Sequence, residues 1–146
     1  VVFLQTKGTL PTNTAVLMIW VSPSEAMAIA SRLARQRAPR PLSHDLFETM
    51  ISVLDTTVVK THIEDLREGA FLGRLYLKQG ERDFNLDARP SDAIALALGA
   101  DAPIYASKKV LAEAGISFAR FMELLHDGNS GGLDEPTPTR GQGSSI

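Results

Sequence analysis

Short segments in which apolar and β-branched residues dominate or alternate with polar ones predict six β-strands. The predicted strands are residues 1–5, 15–21, 57–63, 71–77, 83–87 and 102–105. A Gly-Thr-Leu-Pro-Thr-Asn loop joins the first two. The third to fifth follow one another across turns at Arg67-Glu68-Gly69 and Gly80, which predicts a meander. The sixth is predicted at a sheet edge, because Pro103 has no N–H to donate to a neighbouring strand.

Apolar residues at helical spacing, flanked by capping residues, predict five helices. In the first, Ser22 is the cap, Pro23 the first helical residue and Glu25 the acid of a capping box, and the helix runs to about Arg37. Ser43 is predicted to cap a second helix. The apolar face of this second helix consists of Leu46, Phe47, Met50, Ile51 and Leu54. The other helices are predicted at residues 90–99, 108–114 and 118–126.

The helix at residues 90–99 has no polar residue between Ala93 and Leu98, so it has no face for water. It must lie between a sheet and other helices, or under a partner subunit. The order of elements predicts an α+β fold, in which a mixed or antiparallel sheet with a meander packs against several helices, one of them fully buried. Residues 1–126 are predicted to form this domain, with a truncated first strand. Residues 127–146, rich in Gly, Ser, Pro and Thr, are predicted to form a disordered tail or linker.

Composition narrows the classes of function. The length of 146 residues and an apolar content of 44% predict one domain with a substantial core. The net charge of −2 does not suit a protein that coats nucleic acid, so a polyanion would need a local basic patch. The absence of cysteine excludes disulfides, thiolate metal sites and cysteine nucleophiles. No apolar run is long enough to span a bilayer, and we expect a soluble, cytoplasmic protein.

Three predicted helix starts carry side chains able to do acid–base chemistry: Glu25, then His44 with Asp45, then Asp87 with Asp92. The acids also have a structural explanation, because carboxylates cap helix N-termini and interact favourably with the helix dipole. His44 is not explained by capping. It is either a packed, hydrogen-bonded histidine or a general base.

Cationic side chains are concentrated in two places. Arg89 precedes Pro90, which favours an extended backbone, and Ser91 follows as a capping residue. The Arg89 guanidinium either pairs with the neighbouring acids or binds a phosphate or carboxylate. The second concentration consists of Arg32, Arg35, Arg37 and Arg40. It is either a solvated face or a track for a phosphate backbone that leads toward His44.

Several sequence blocks occur in the order typical of one known family. DARPSDAIALAL at residues 87–98 is followed by APIYASKKVL at residues 102–111. Before them come PSEAMAIA at 23–30, RPLSHDLFETMISVL at 40–54 and VVKTHIEDLREGAFLGRLYL at 58–77. Over about residues 1–125 the chain resembles the bifunctional nuclease family, whose domains are described as cleaving both RNA and DNA. It departs from the family at Gly99 and Ala100, where family members commonly carry a basic residue.

The resemblance implies a nuclease that hydrolyses phosphodiester bonds of RNA, DNA or both, in a homo-oligomer. For that reaction, the candidate catalytic residues are Glu25, His44, Asp45, Asp87 and Asp92, with His44 as general base. The candidate phosphate-binding residues are Arg35, Arg37, Arg40, Arg89 and Ser91. We expect Mg²⁺ or Mn²⁺, held by Asp87 and Asp92 with Asp45 or Glu25, and no organic cofactor.

The alternative is a non-catalytic, oligomeric regulatory module. In that case, the same arginine and aspartate side chains bind a small anion or a partner, or order a subunit interface. Family resemblance alone does not decide between the two, because function depends on the site rather than on the fold.

Overall fold

The computed structural model describes residues 1–7, 14–36 and 38–127, and in these ranges it contains seven strands and five helices. The strands are β1 (Val2–Gln5), β2 (Ala15–Ile19), β3 (Thr56–Arg67), β4 (Ala70–Gln79), β5 (Arg82–Ala88), β6 (Ile104–Ala106) and β7 (Gly115–Ser117). The helices are α1 (Pro23–Leu33), α2 (Ser43–Val53), α3 (Pro90–Gly99), α4 (Lys108–Ala114) and α5 (Phe118–Asp127). The predicted loop at residues 8–13, Arg37 and most of the predicted tail lie outside the described residues.

The strands form two sheets, which confirms the predicted α+β class. One has the order β1-β2-β7 and is antiparallel. The other has the order β5-β4-β3-β6, in which β3, β4 and β5 form the predicted antiparallel meander. The predicted edge strand is β6, which pairs in parallel with β3. Strand β7 was not predicted.

Helix α3 is buried at the centre of the domain, as its apolar sequence predicts. Ala93, Ala95 and Ala97 are fully buried, so neighbouring backbones can approach the helix closely. Ile94 packs in a cluster with residues of β2, β3, α1 and α4, while Leu96 packs against β4. Because α3 packs against β2, β3, β4, α1 and α4, these elements fix the position of its N-terminal end. That end carries Arg89, Ser91 and Asp92.

The starts of α1 and α2 are fixed by short-range hydrogen bonds. Ser22 caps α1 in a complete capping box with Glu25, as predicted. The prediction that α1 runs to about Arg37 is wrong: it ends at Leu33, and Arg35 has a left-handed backbone with φ of 51° that a helix cannot contain. The predicted cap of α2 is also wrong by one residue. Leu42 is the N-cap residue, and its N–H donates to the Asp45 carboxylate at 2.7 Å.

The apolar face of α2 is exposed in the single chain. Leu46, Phe47, Met50 and Leu54 are each 49–58% exposed, and α2 has no fully buried residue. The sequence pattern identified an amphipathic helix, but its own chain covers little of the apolar side. Within the described ranges, no helix has both the length and the apolar character needed to cross a membrane.

Candidate active site at three helix starts

The N-terminal ends of α1, α2 and α3 meet at one cleft of about 890 Å³. Charged side chains from all three helices stand at its rim. Leucines from β4, β5 and α3 form its floor, and α2 forms one wall. The rim residues are Glu25, His44, Asp87, Arg89 and Asp92.

Glu25 divides its two carboxylate oxygens between the cap of α1 and the cleft. Oε2 accepts a hydrogen bond from the Ser22 backbone N–H at 2.7 Å. Oε1 accepts from the Ser91 hydroxyl at 3.1 Å and from Nη1 of Arg89 at 2.5 Å. These bonds, above all the one from the Ser22 backbone, hold the pKa of Glu25 below its ordinary value. Glu25 is therefore a carboxylate, not a carboxylic acid, at neutral pH.

Asp92 joins the histidine of α2 to the arginine of α3. Its Oδ1 lies 3.0 Å from His44 Nε2, and its Oδ2 accepts from Arg89 Nε at 2.8 Å. Burial raises the pKa of Asp92, but the hydrogen bonds from Arg89 and His44 outweigh burial and lower it overall. An ionised carboxylate can only accept, so Nε2 of His44 must carry the proton. In neutral His44 the proton-accepting nitrogen is therefore Nδ1.

The rim has an excess of negative charge. Three carboxylates, those of Glu25, Asp87 and Asp92, face the one guanidinium of Arg89. The positive ends of three helix dipoles, each equivalent to roughly half a charge, offset part of this excess. The Arg89 side chain is 68% exposed, so its guanidinium is accessible to a ligand from solvent although it already contacts two carboxylates.

The floor and one wall of the cleft are hydrocarbon. Leu75 and Leu77 of β4, Leu86 of β5 and Leu96 of α3 form the floor. Phe47 of α2 stands one helical turn after His44 and is about half exposed. Leu75 and Leu77 are two residues apart in β4, so they share one face of the meander. Their spacing in the sequence does not reveal that this face reaches the site.

Asp45 is not a rim residue, contrary to its prediction as catalytic. One oxygen accepts the Leu42 N–H, and the other accepts from Nη2 of Arg32 at 2.9 Å. Arg32 also donates from Nε to Glu48 at 2.8 Å, and its side chain is 7% exposed. The guanidinium therefore binds α1 to α2 from behind the cleft. Sequence gave no sign of this role, because the partners of Arg32 lie 13 and 16 residues further along the chain.

The predicted arginine track is not a continuous surface. Arg32 is buried, and Arg35 pairs with Asp101 on the exposed surface at 3.0 Å. Arg40 is exposed but does not line the cleft, and Arg37 lies outside the described residues. Ser91 does not line the cleft: it is 6% exposed and its hydroxyl donates to Glu25, so it positions that carboxylate.

The predicted metal ligands do not form a preformed site. In residues 1–7, 14–36 and 38–127, no three His, Asp or Glu side chains are grouped closely enough to hold a metal ion. Asp92 is bound by Arg89 and His44, and Asp87 lies on β5 in register with Arg74 of β4. A Mg²⁺ ion needs only one or two protein carboxylates when substrate phosphates supply other ligands. The acidic rim fits that mode of binding and does not fit a metal cage made by the protein alone.

Comparison with known proteins agrees with the sequence blocks and the fold. The profile of the Bifunctional nuclease domain matches residues 2–119. The chain belongs to the bifunctional nuclease domain family. It is 42% identical over 100 residues to an uncharacterized protein found in two strains of Mycobacterium tuberculosis, a match that covers 68% of this chain and 59% of the relative.

Plant relatives are more distant. The protein named Bifunctional nuclease 1 from Oryza sativa subsp. japonica is 27% identical over 104 residues, which cover 69% of this chain and 31% of the relative. A Bifunctional nuclease from Oryza minuta matches to the same extent. The matched segment thus spans 59% of the length of the Mycobacterium tuberculosis relative and 31% of the length of each plant relative.

Proposed function

We propose that the cleft binds nucleic acid and hydrolyses its phosphodiester bonds. The observation that carries this proposal is the convergence of three helix N-termini on one cleft whose rim contains a His44–Asp92 pair and the Arg89 guanidinium. Family membership points to the same chemistry. The compartment in which the reaction occurs stays a prediction, and we expect the cytoplasm.

In the proposed reaction, His44 is the general base. Nδ1 takes a proton from the attacking water as the water oxygen bonds to phosphorus, the phosphorus–oxygen bond to the leaving sugar breaks, and the leaving oxygen takes a proton from solvent. Nε2–H stays bonded to Asp92, whose negative charge stabilises the imidazolium that forms. The His44–Asp92 bond also fixes the orientation of the ring. General acid–base catalysis of this kind contributes about 10²- to 10⁴-fold to the rate.

Arg89 is the proposed phosphate-binding residue. Its exposed guanidinium contacts Glu25 and Asp92 at the rim, and a phosphate would have to replace at least one of these contacts. Glu25 is the partner that can be given up, because the Ser22 N–H and the Ser91 hydroxyl would still bind its carboxylate. Arg89 would then stabilise the charge that develops on the phosphate oxygens in the transition state.

A divalent cation is part of the proposal because the rim has more carboxylates than cations. Asp92 and Asp87 are the residues proposed to hold Mg²⁺ or Mn²⁺ together with substrate phosphate oxygens. When bound, such an ion supplies charge neutralisation and Lewis-acid polarisation of the phosphoryl group. His44 and Arg89 act as described above in either case.

The test is cleavage of fluorophore–quencher RNA and DNA oligonucleotides by the purified protein and three variants, His44→Ala, Arg89→Ala and Asp92→Asn. We expect losses of about 10²-fold or more for His44→Ala. His62→Ala is the matched control, because His62 lies in β3 opposite Arg74 of β4 and does not line the cleft. Cleavage that survives all three rim substitutions would show that the activity belongs to a contaminant and would refute the proposal.

Self-association through α2 is a second proposal, and the part of its exposed apolar face that does not line the cleft supports it. Leu46, Met50, Val53 and Leu54 leave a contiguous apolar surface on one element of a small domain, which is typical of a protein interface. Light scattering after gel filtration should give the mass of a homo-oligomer for the wild type and of a monomer for Leu46→Glu/Met50→Glu. Met27→Glu, at an apolar position on α1 that is somewhat more exposed than Leu46 and Met50, should leave the mass unchanged. A monomeric wild type would contradict this proposal.

A further inference from the structure

The apolar floor of the cleft has no role in acid–base chemistry or phosphate binding. Leu75, Leu77 and Leu96 are almost fully buried, while Leu86 and Phe47 present about half of their surface to the cleft and to solvent. A phosphodiester needs hydrogen-bond donors and positive charge, and none of these five side chains supplies either. Leu75, Leu77 and Leu96 pack against one another in the core, so the apolar surface offered to a ligand comes from Leu86 and Phe47.

We infer that the floor takes one unstacked nucleobase next to the phosphate at the rim, so that the substrate is single-stranded or locally unpaired nucleic acid. This inference rests on the proposed function, since it concerns the same cleft. A cleft of about 890 Å³ lies within the range of sites that enclose small organic ligands. It has room for one nucleotide.

The ring of Phe47 is the surface proposed to stack against the base. Phe47 and His44 are three residues apart on α2, so their side chains are neighbours on the helix surface. A base on Phe47 would therefore lie one sugar away from a phosphate beside His44 and Arg89. Aromatic side chains stack all four bases, because each base has a π-face.

The apolar floor also predicts that the site does not distinguish one base from another. Leu75, Leu77 and Leu86 have no polar atom that could read the edge of a base by hydrogen bonding. In a duplex the bases are stacked and paired, and a base can reach such a floor only by leaving the helix at a cost in free energy. We therefore expect preference for single strands without preference for one base.

The test is binding of fluorescein-labelled 12-nucleotide single strands, measured by anisotropy in EDTA so that cleavage does not interfere. One strand is intact, and the other has the same length and phosphates but is abasic at every nucleotide. Phe47→Ala should weaken binding of the intact strand by about tenfold, as expected for the loss of one base–aromatic contact. It should weaken binding of the base-free strand very little. Phe47→Trp should retain wild-type affinity, and Met27→Ala is the matched exposed control.

Equal weakening of intact and base-free strands by Phe47→Ala, or equal wild-type affinity for single strand and duplex, would overturn the inference. Circular dichroism of each variant excludes loss of fold as the cause, and Leu86→Ala gives an independent measurement from another element. Base-dependent binding without any cleavage by the wild type would support the base site and refute hydrolysis. Cleavage without base-dependent binding would support hydrolysis and refute the base site.

Discussion

Replacing Arg32 by Met tests whether one buried guanidinium holds α2 against α1. The Arg32 side chain is 7% exposed, and it donates from Nε to Glu48, from Nη2 to Asp45 and from Nη1 to the carbonyl of Ala28. Methionine keeps most of the apolar stem but removes all three bonds. Two carboxylates of α2 then face each other without a cation between them.

The size of the effect follows from the exposure of these carboxylates. Removing one partner of a fully buried ion pair costs about 3–5 kcal/mol. The side chains of Asp45 and Glu48 keep 28% and 27% exposure, so water replaces part of what they lose. We expect the free energy of unfolding to fall by about 2–3 kcal/mol. With a urea dependence of about 2 kcal/mol per molar, the unfolding midpoint should move down by about 1–1.5 M.

Arg35→Met is the matched control. Arg35 lies one turn beyond Arg32 and pairs with Asp101, but the two side chains are 81% and 76% exposed. Pairs at this level of exposure contribute about 0–1 kcal/mol, so the urea midpoint should move by less than about 0.5 M. Cleavage should fall in Arg32→Met, because α2 carries His44, and stay unchanged in Arg35→Met. Equal midpoint shifts in the two variants would refute this account of how α2 is held.

Three further predictions concern acid, backbone packing and metal. The pKa values of Glu25 and Asp92 are lowered from 4.5 and 3.8, so the contribution of these two carboxylates to the free energy of unfolding should be constant above about pH 5 and should be lost as pH drops below these values. Urea titrations across pH would measure the loss, and Glu25→Gln should make the fall in stability shallower. A Cβ at Gly73 would lie 2.8 Å from the carbonyl oxygen of Ala88 and 3.2 Å from the backbone of Pro90. Gly73→Ala should therefore lower the free energy of unfolding by about 1–3 kcal/mol and reduce cleavage, because it displaces the start of α3. An unchanged melting temperature would contradict this prediction. EDTA should abolish cleavage with no change in circular dichroism, and Mg²⁺ or Mn²⁺ should restore it; full activity in EDTA would exclude the divalent cation.

Where the decisive interactions are local, sequence predicted the structure well. Helix α3 has the predicted bounds, because the signals for its start at Pro90 and for its apolar run up to Gly99 both lie in consecutive residues of the sequence. The capping box is likewise local, because Ser22 and Glu25 are only three positions apart in the sequence. Strand β7 could not be found this way. It has three residues, and it is a strand only because it pairs with Ala15, Val16 and Leu17, a hundred residues earlier.

The site was predictable in part for the same reason. Sequence identified Glu25, His44, Arg89 and Asp92 as groups at helix starts, and the fold brings them to one rim. It could not separate Asp45 from them. Asp45 occupies the same type of position as Glu25, the third residue of a helix, and only the packing of Arg32 against α2 decides which way its carboxylate faces.

Capping and chemistry are not competing explanations for the acids at this site, because a carboxylate has two oxygens. In Glu25 one oxygen closes the cap of α1 and thereby fixes the other, which faces Ser91 and Arg89. In Asp45 the same division directs the second oxygen to Arg32, away from the cleft. Asp92 uses both oxygens on Arg89 and His44. A cap therefore fixes one oxygen of an acid and thereby orients the other, and a capped acid belongs to a site only where its second oxygen faces that site.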